Sequence, residues 1–270
     1  MRSGVIGDPA GHSLSPAIHR EGYRLNALDD WSYDAYTVTA ADLATFVRTR
    51  IDDPDWAGLS VTAPHKEAIV SFGDPDEPTR LIGGGNTIVF GDEPRVYNTD
   101  VPGFIGAWLA HGLAAPRSAA ILGNGATARS IVLALADLGV RELTVFARRP
   151  ERAAALAQLA STLGLTTDVR SLGEGADRVD LVASTIPAAA AAPHADALAT
   201  AADVVFDVVY DPWPTPLTAA AQRKGRMVLN GLDLLAGQAV DQFHLLTGHR
   251  VTYQQCRSAA GRELKARSAL

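Results

Sequence analysis

The chain has 270 residues, enough for one large domain or two modest ones. Its apolar share of 47% is that of an ordinary soluble globule, and a net charge of −6 argues against a general nucleic-acid binder. No apolar run is long enough for a bilayer, the opening MRSGVIGDPAGHS lacks the apolar core of a secretory signal, and the lone Cys256 has no disulfide or metal-ligating companion, so a cytoplasmic enzyme that binds no metal, nucleic acid or membrane is expected.

Residues 4–7 predict a short strand, turned by Asp8-Pro9 and Gly11. A helix is expected from about Pro16 through Leu25, with Ser15 as its N-cap and Pro16 at the first helical position. Two hydroxyls, Ser13 and Ser15, at a helix start also suit a small carboxylate, but taken locally Ser15 caps and Ser13 is loop. A strand near 33–38, a helix over about 41–50 and a strand at 58–61 follow. The last leads into Thr62-Ala63-Pro64-His65-Lys66, where Pro64 allows a helix to begin with Lys66 in its first turns. A cation there opposes the helix dipole, so it needs either a function or solvent exposure; local sequence favours exposure. Gly83-Gly84-Gly85 before Asn86 and Thr87 implies close backbone approach ahead of a strand at 88–90. Then Tyr97-Asn98-Thr99-Asp100 precedes Pro102-Gly103 and a helix at 104–111 that enters the next domain.

The most informative segment is ILGNGATARS at 121–130. An apolar strand from Ala119 meets Gly123-Asn124-Gly125-Ala126, and a helix-compatible stretch runs on through Leu138. Strand, glycine turn and helix make a phosphate cradle: Gly123 permits the tight turn, Gly125 admits pyrophosphate, and the helix start offers unpaired N–H groups. A third glycine is missing, and the alternative is an ordinary strand-to-helix turn. Roughly 20 residues beyond the glycines, where an NAD site carries an acid for the ribose, this chain has Ala147-Arg148-Arg149-Pro150-Glu151-Arg152. Guanidinium forks suit a 2′-phosphate, so NADP(H) is expected, with Arg148, Arg149 and Arg152 as clamps and Glu151 set back on a first helical turn. Further apolar runs at 179–184, 204–209 and 227–229, separated by Ala- and Leu-rich helices, indicate a parallel sheet covered on both faces, so residues 102–233 form one doubly wound domain. A helix over about 234–246 is amphipathic and carries Gln238 and Asp241 one turn apart.

In order along the chain, GDPAGHSLSP at 7–16, SVTAPHK at 60–66, GGGNT at 83–87, NTDVPGF at 98–104, GNGATA at 123–128, STIP at 184–187, DVVYDPWPTPL at 207–217 and NGLDLLAGQ at 230–238 give the chain its character. In these segments it resembles the shikimate dehydrogenase family over nearly its whole length. The resemblance implies reversible NADPH-dependent reduction of 3-dehydroshikimate to shikimate, in aromatic amino-acid biosynthesis. It implies an α/β fold of two domains around a cleft: a substrate and catalytic domain from residues 1–101 plus 234–270, and a Rossmann-like NADP domain from 102–233. C-terminal helices pack back on the substrate domain, and hinges lie at about 101–103 and 232–236. By resemblance Lys66 and Asp100 form the catalytic pair, Ser13 and Ser15 bind carboxylate (against the local reading of them), Thr62, Asn86 and Gln238 bind ring hydroxyls, and Tyr210 lies at the substrate pocket. Arg148 and Arg152 match the family's 2′-phosphate contacts.

The chain departs from the family at several points. Ala147-Arg148-Arg149 stands where Asn-Arg-Thr is frequent, exchanging an adenosine contact for a charge; Ala126 replaces a glycine and Gly84 an alanine. His65 replaces a small or apolar residue; it either tunes Lys66 or faces solvent, and solvent is expected. Quinate or aminoshikimate oxidation is the nearest alternative activity, and a non-catalytic sensor of shikimate or nucleotide the alternative from another class. The partners are small molecules, and the enzyme is expected to be a monomer or homodimer.

Overall fold

The structure, a computed structural model, describes residues 1–269. They divide into two compact units, one of Met1–Ala110 with the segment from Leu235 onward, the other of His111–Leu234.

The first unit opens with β1 (Arg2–Gly7), α1 (Ser15–Leu25), β2 (Ser32–Thr37), α2 (Leu43–Ile51) and β3 (Trp56–Val61). It continues through β4 (Asp74–Pro75), α3 (Glu77–Ile82), β5 (Thr87–Val89), β6 (Arg95–Tyr97) and α4 (Asp100–Ala110). The sheet order is β2-β1-β3-β5-β6-β4. β1 lies parallel to β2 and β3, whereas β5 runs antiparallel to both β3 and β6. This mixed topology brings the end of β3, the start of β5 and the end of β6 to one edge of the sheet. Asn86 marks the meeting point: its N–H donates to Tyr97 O at 2.9 Å, and its carbonyl accepts from Val61 N at 2.7 Å. Ile6, Leu59, Ile88 and Val96 are fully buried beneath them.

Two local expectations are corrected here. Ser15 is not the N-cap; it is the first residue of α1, Leu14 holds the cap position, and Ser13 Oγ accepts the Ser15 N–H at 3.2 Å. Pro16 consequently falls one place deeper, where its missing N–H still costs nothing. Nor does an α-helix begin at Pro64: residues 63–67 form turns that lead into a 3-10 segment at Ala68–Phe72. The reason is tertiary. Gly85 N donates to the Lys66 carbonyl at 2.8 Å, so that carbonyl is engaged elsewhere, and Val70 N bonds Glu67 O instead.

The second unit comprises β7 (Ser118–Leu122), α5 (Ala126–Leu138), β8 (Glu142–Ala147), α6 (Ala154–Thr162), β9 (Thr166–Ser171), β10 (Val179–Ser184), α7 (Ala188–Ala191), α8 (Ala195–Ala201), β11 (Ala202–Asp207), α9 (Pro216–Arg223) and β12 (Met227–Asn230). All its strands are parallel, in the order β12-β11-β10-β7-β8-β9. Central strands read as unbroken apolar runs because both faces are covered; Ile121, Leu122, Leu181, Val182, Val205 and Phe206 are at most 1% exposed. Strand order reverses between β7 and β10, the crevice at which doubly wound sheets bind ligands.

The chain ends in α10 (Gly231–Thr247), within which the division between units falls, and α11 (Tyr253–Ser268), which packs against α1. A capping box starts α11: Thr252 accepts from Gln255 N, and the Gln255 side chain accepts from Thr252 N. In the first unit, α4 and α10 cross with backbones in contact. A Cβ on Gly103 would lie 2.4 Å from Gln238 N, so only glycine allows the approach that brings Gln238 to the sheet edge.

Candidate active site

Lys66 Nζ donates to Asp100 Oδ2 at 2.5 Å, with side chains only 15% and 5% exposed. Asp100 opens α4, and Asn98 Oδ1 accepts its N–H at 3.1 Å. Its second oxygen, Oδ1, accepts from Asn86 Nδ2 at 3.0 Å. The same amide nitrogen lies 2.9 Å from Thr99 Oγ1 and 3.1 Å from Gln238 Oε1, while Asn86 Oδ1 accepts from Thr99 N at 2.8 Å. An amide has two hydrogens and here faces three acceptors, so acceptor capacity is left over for a hydroxylated ligand. Lys66, Asp100, Asn86 and Gln238 are thus joined by direct hydrogen bonds, and the isolated-lysine expectation of a solvated side chain is overturned.

Thr62 follows β3 at the same sheet edge, half-buried, its N–H donating to Ile6 O at 2.9 Å. Ser13 and Ser15 lie at the start of α1, both buried. His65 does not face solvent. It is 1% exposed, and its Nε2 bonds Val38 O at 2.7 Å, just beyond the end of β2. A carbonyl past the end of a strand has no ladder partner, and the imidazole supplies one, anchoring the turn that carries Lys66.

Behind Asn86 runs a second buried chain of polar groups that sequence reasoning missed. Tyr33 OH donates to Ser60 Oγ at 2.6 Å, Ser60 Oγ to Gln242 Oε1 at 2.9 Å, and Gln242 Nε2 to the Asn86 carbonyl at 2.9 Å. Gln242 stands one helical turn after Gln238, a spacing that was visible as a shared face of α10. Burial pushes the Tyr33 phenol up. His19, stacked on Tyr33 with ring centroids 4.1 Å apart, is pushed down to about 3 by burial. Neither ring nitrogen has a hydrogen-bond partner at good geometry, and the nearby Gln242 side chain opposes the effect of burial.

In the second unit, Gly123 follows β7 with φ 105°, and a Cβ there would lie 2.5 Å from Thr185 Oγ1, which follows β10. The turn at the strand-order reversal therefore requires glycine. A Cβ on Gly125 would meet nothing within 4 Å, and α5, starting at Ala126, has no side-chain cap. Its first N–H groups are open to an anion. Asn124 Nδ2 donates to Arg152 O at 2.7 Å and ties the turn to the 3-10 segment Pro150–Ala153, which carries Glu151. β8 ends at the buried Ala147, with no carboxylate at its tip. Arg148, Arg149 and Arg152 are exposed, and among the described residues none is paired to a carboxylate. These groups fit a dinucleotide bearing a 2′-phosphate. Tyr210 also belongs to this unit, beyond β11, with its ring against Gly231. Burial pushes the Asp207 carboxyl up, while Thr215 and Val209 N oppose the shift by hydrogen bonding to it. Among the described residues no cluster of three or more His, Cys, Asp or Glu side chains is arranged to hold a metal ion.

Comparison with known proteins covers residues of both units. Residues 5–88 match a family model described as the shikimate dehydrogenase substrate binding domain, and residues 110–208 one described as shikimate / quinate 5-dehydrogenase. A shikimate dehydrogenase (NADP(+)) of Nitrobacter hamburgensis is 35% identical over 91% of this chain and 88% of its own. Among solved structures, the shikimate dehydrogenase of Mycobacterium tuberculosis superposes with a TM-score of 0.88 at 36% identity, over 97% of this chain and 99% of that one. The shikimate 5-dehydrogenase of Thermus thermophilus, solved in complex with NADP(H) and shikimate, gives a TM-score of 0.83 at 29% identity, covering 97% and 99%.

Proposed function

The chain belongs to the shikimate dehydrogenase family, and from that premise we propose how its own residues carry the reaction, the reversible NADPH-dependent reduction of 3-dehydroshikimate to shikimate. The observation that bears most weight is the buried ion pair of Lys66 and Asp100, with Asn86 on the second carboxylate oxygen.

Ser13 and Ser15 hold the substrate carboxylate. Asn86, Thr62 and Gln238 hold ring hydroxyls, and because such groups are left unpaired when a hydroxyl is missing, they reject analogues that lack it. The bound cofactor supplies hydride to the ring ketone carbon. Lys66 supplies the proton: its ammonium faces the carbonyl oxygen and donates as negative charge develops there. Asp100 orients Nζ through their hydrogen bond. In the oxidative direction Lys66 takes the hydroxyl proton and passes it to solvent; because the overall oxidation releases one proton, its equilibrium moves toward 3-dehydroshikimate as pH rises. The backbone of Gly123, Asn124, Gly125 and Ala126 takes the pyrophosphate, and Arg148 and Arg152, joined by Arg149, take the 2′-phosphate. Ala147 ends β8 without a side chain that competes for the ribose.

We place the enzyme in the cytoplasm, as a monomer or homodimer, with metabolites for partners. That setting suits a reduced nucleotide and a single buried thiol, Cys256, which burial pushes up to about 12 and so keeps protonated. The test is a steady-state assay of the purified chain with shikimate and quinate, each against NADP and NAD. The highest kcat/KM is expected for shikimate with NADP. Preference for quinate with NAD, or ligand binding without turnover, would overturn the assignment.

A further inference from the structure

We infer that Arg267, in the last turn of α11, is a positioning residue for the serines that receive the substrate carboxylate. A basic residue at a helix C-terminus ordinarily serves its own helix, bonding the last carbonyls or countering the dipole. Arg267 does otherwise. Its Nη1 donates to His12 O at 3.0 Å and its Nη2 to Ser13 O at 3.1 Å, reaching residues 255 and 254 positions earlier. Its Nε donates to Glu263 Oε1 at 2.8 Å, one turn back on α11, which sets the plane of the guanidinium.

The segment so gripped is the loop between β1 and α1. Within it Ser13 N donates to Ala10 O at 3.0 Å, and Ser13 Oγ accepts from Ser15 N at 3.2 Å. Two consecutive carbonyls held by one rigid fork fix both peptide planes, and with them the direction in which the Ser13 side chain leaves the backbone. A lysine, with one charged nitrogen, cannot reproduce a two-point grip on successive carbonyls. Packing of α11 against α1 brings the guanidinium within reach. The last helix of the chain therefore completes the carboxylate site without touching the substrate: it freezes the loop beforehand, so that binding does not have to order it.

This role presupposes the carboxylate binding proposed for Ser13 and Ser15, and the experiment separates the two. Arg267→Ala and Arg267→Lys are made in the wild type and in the Ser13→Ala/Ser15→Ala background, and kcat, KM for shikimate, KM for NADP and thermal unfolding are measured. In the wild type, Arg267→Ala is expected to raise KM for shikimate about tenfold, equivalent to about 1.4 kcal/mol. It should leave kcat within about twofold and KM for NADP unchanged. Arg267→Lys should recover part of the loss. In the serine-free background Arg267→Ala should add nothing, because its effect acts through those hydroxyls. If the serine variant raises KM but Arg267→Ala does not, or if Arg267→Ala only lowers the unfolding temperature, the positioning role is wrong while the carboxylate assignment stands. An equal effect in both backgrounds also overturns it. An unchanged KM in the serine variant sinks the carboxylate assignment, and this role with it.

Discussion

The two units prepare for their ligands in opposite ways. At the edge of the first sheet nearly every polar group is already spoken for: Lys66 by Asp100, Asp100 by Asn86 and Asn98, Asn86 by Thr99, Gln238 and Gln242. At the corresponding end of the second sheet the cradle is backbone, and three guanidinium groups stand exposed and unpaired by carboxylates among the described residues. The contrast follows from what each is proposed to bind. Neutral hydroxyls are told apart only by hydrogen bonds that are buried and directed before the ligand arrives, whereas a phosphate recruits strong donors wherever charge and backbone N–H groups are available. Changes in the first unit should therefore strike chemistry and stability together, and changes in the second should act mainly on affinity.

The sharpest way to break this contrast is Lys66→Ala. It should cut kcat by about a hundredfold or more, since general acid catalysis and charge stabilisation each carry factors of that size. Cofactor affinity, measured by direct titration of the inactive variant, should not change; retained turnover would move the proton donor elsewhere. Next in size is Asn86→Ala. It leaves Thr99 N–H and a carboxylate oxygen of Asp100 without a buried partner, at about 1–3 kcal/mol each. Both kcat/KM and the unfolding midpoint should fall. A variant that loses activity at wild-type stability would show that the network serves catalysis alone.

A third effect concerns acid. His19 is neutral in the folded protein, held near 3, but titrates near 6.5 when unfolded. Below about pH 6.5 the unfolded chain takes up a proton that the native state refuses, so stability is lost as pH falls. Between pH 7 and 5 the loss amounts to about 2 kcal/mol. Asp207 in the second unit has the opposite sign, because its raised native carboxyl is favoured by acid. Chemical denaturation across this range should show the His19 slope, and His19→Phe, which keeps the ring stack on Tyr33, should flatten it. Smallest is Arg148→Ala, expected to raise KM for NADP about tenfold, the loss of one charged contact, with KM for NAD and kcat little altered. Added salt should narrow the difference, because the contact lies in solvent.

Much of the second unit was legible in the sequence because its signals are local. Apolar runs at β7, β10 and β11 read as buried parallel strands, and Gly123 and Gly125 sit where a strand must turn into a helix. The first unit was less legible from its residues taken singly. Lys66 alone suggested a solvated side chain, and His65 an exposed ring; both were reversed by burial and by partners distant in the chain, whereas Ser15, read as a simple cap, gave that position to Leu14. For Lys66 and for the two serines it was the ordered set of segments, not any local pattern, that pointed to their use.

By itself the sequence determined the alternation of strands and helices, the glycine turn of the nucleotide unit and the arginines beyond it, since each depends on backbone preferences and periodicity within a few residues. Tertiary structure alone decided that Gln238 reaches Asn86 across 152 positions, that Gly85 claims the Lys66 carbonyl where a helix was expected and turns and a 3-10 segment form instead, and that Arg267 closes on His12 and Ser13. A hydrogen bond of this kind depends on which donors and acceptors remain unsatisfied once the sheet has formed, and no window of neighbouring residues contains that information.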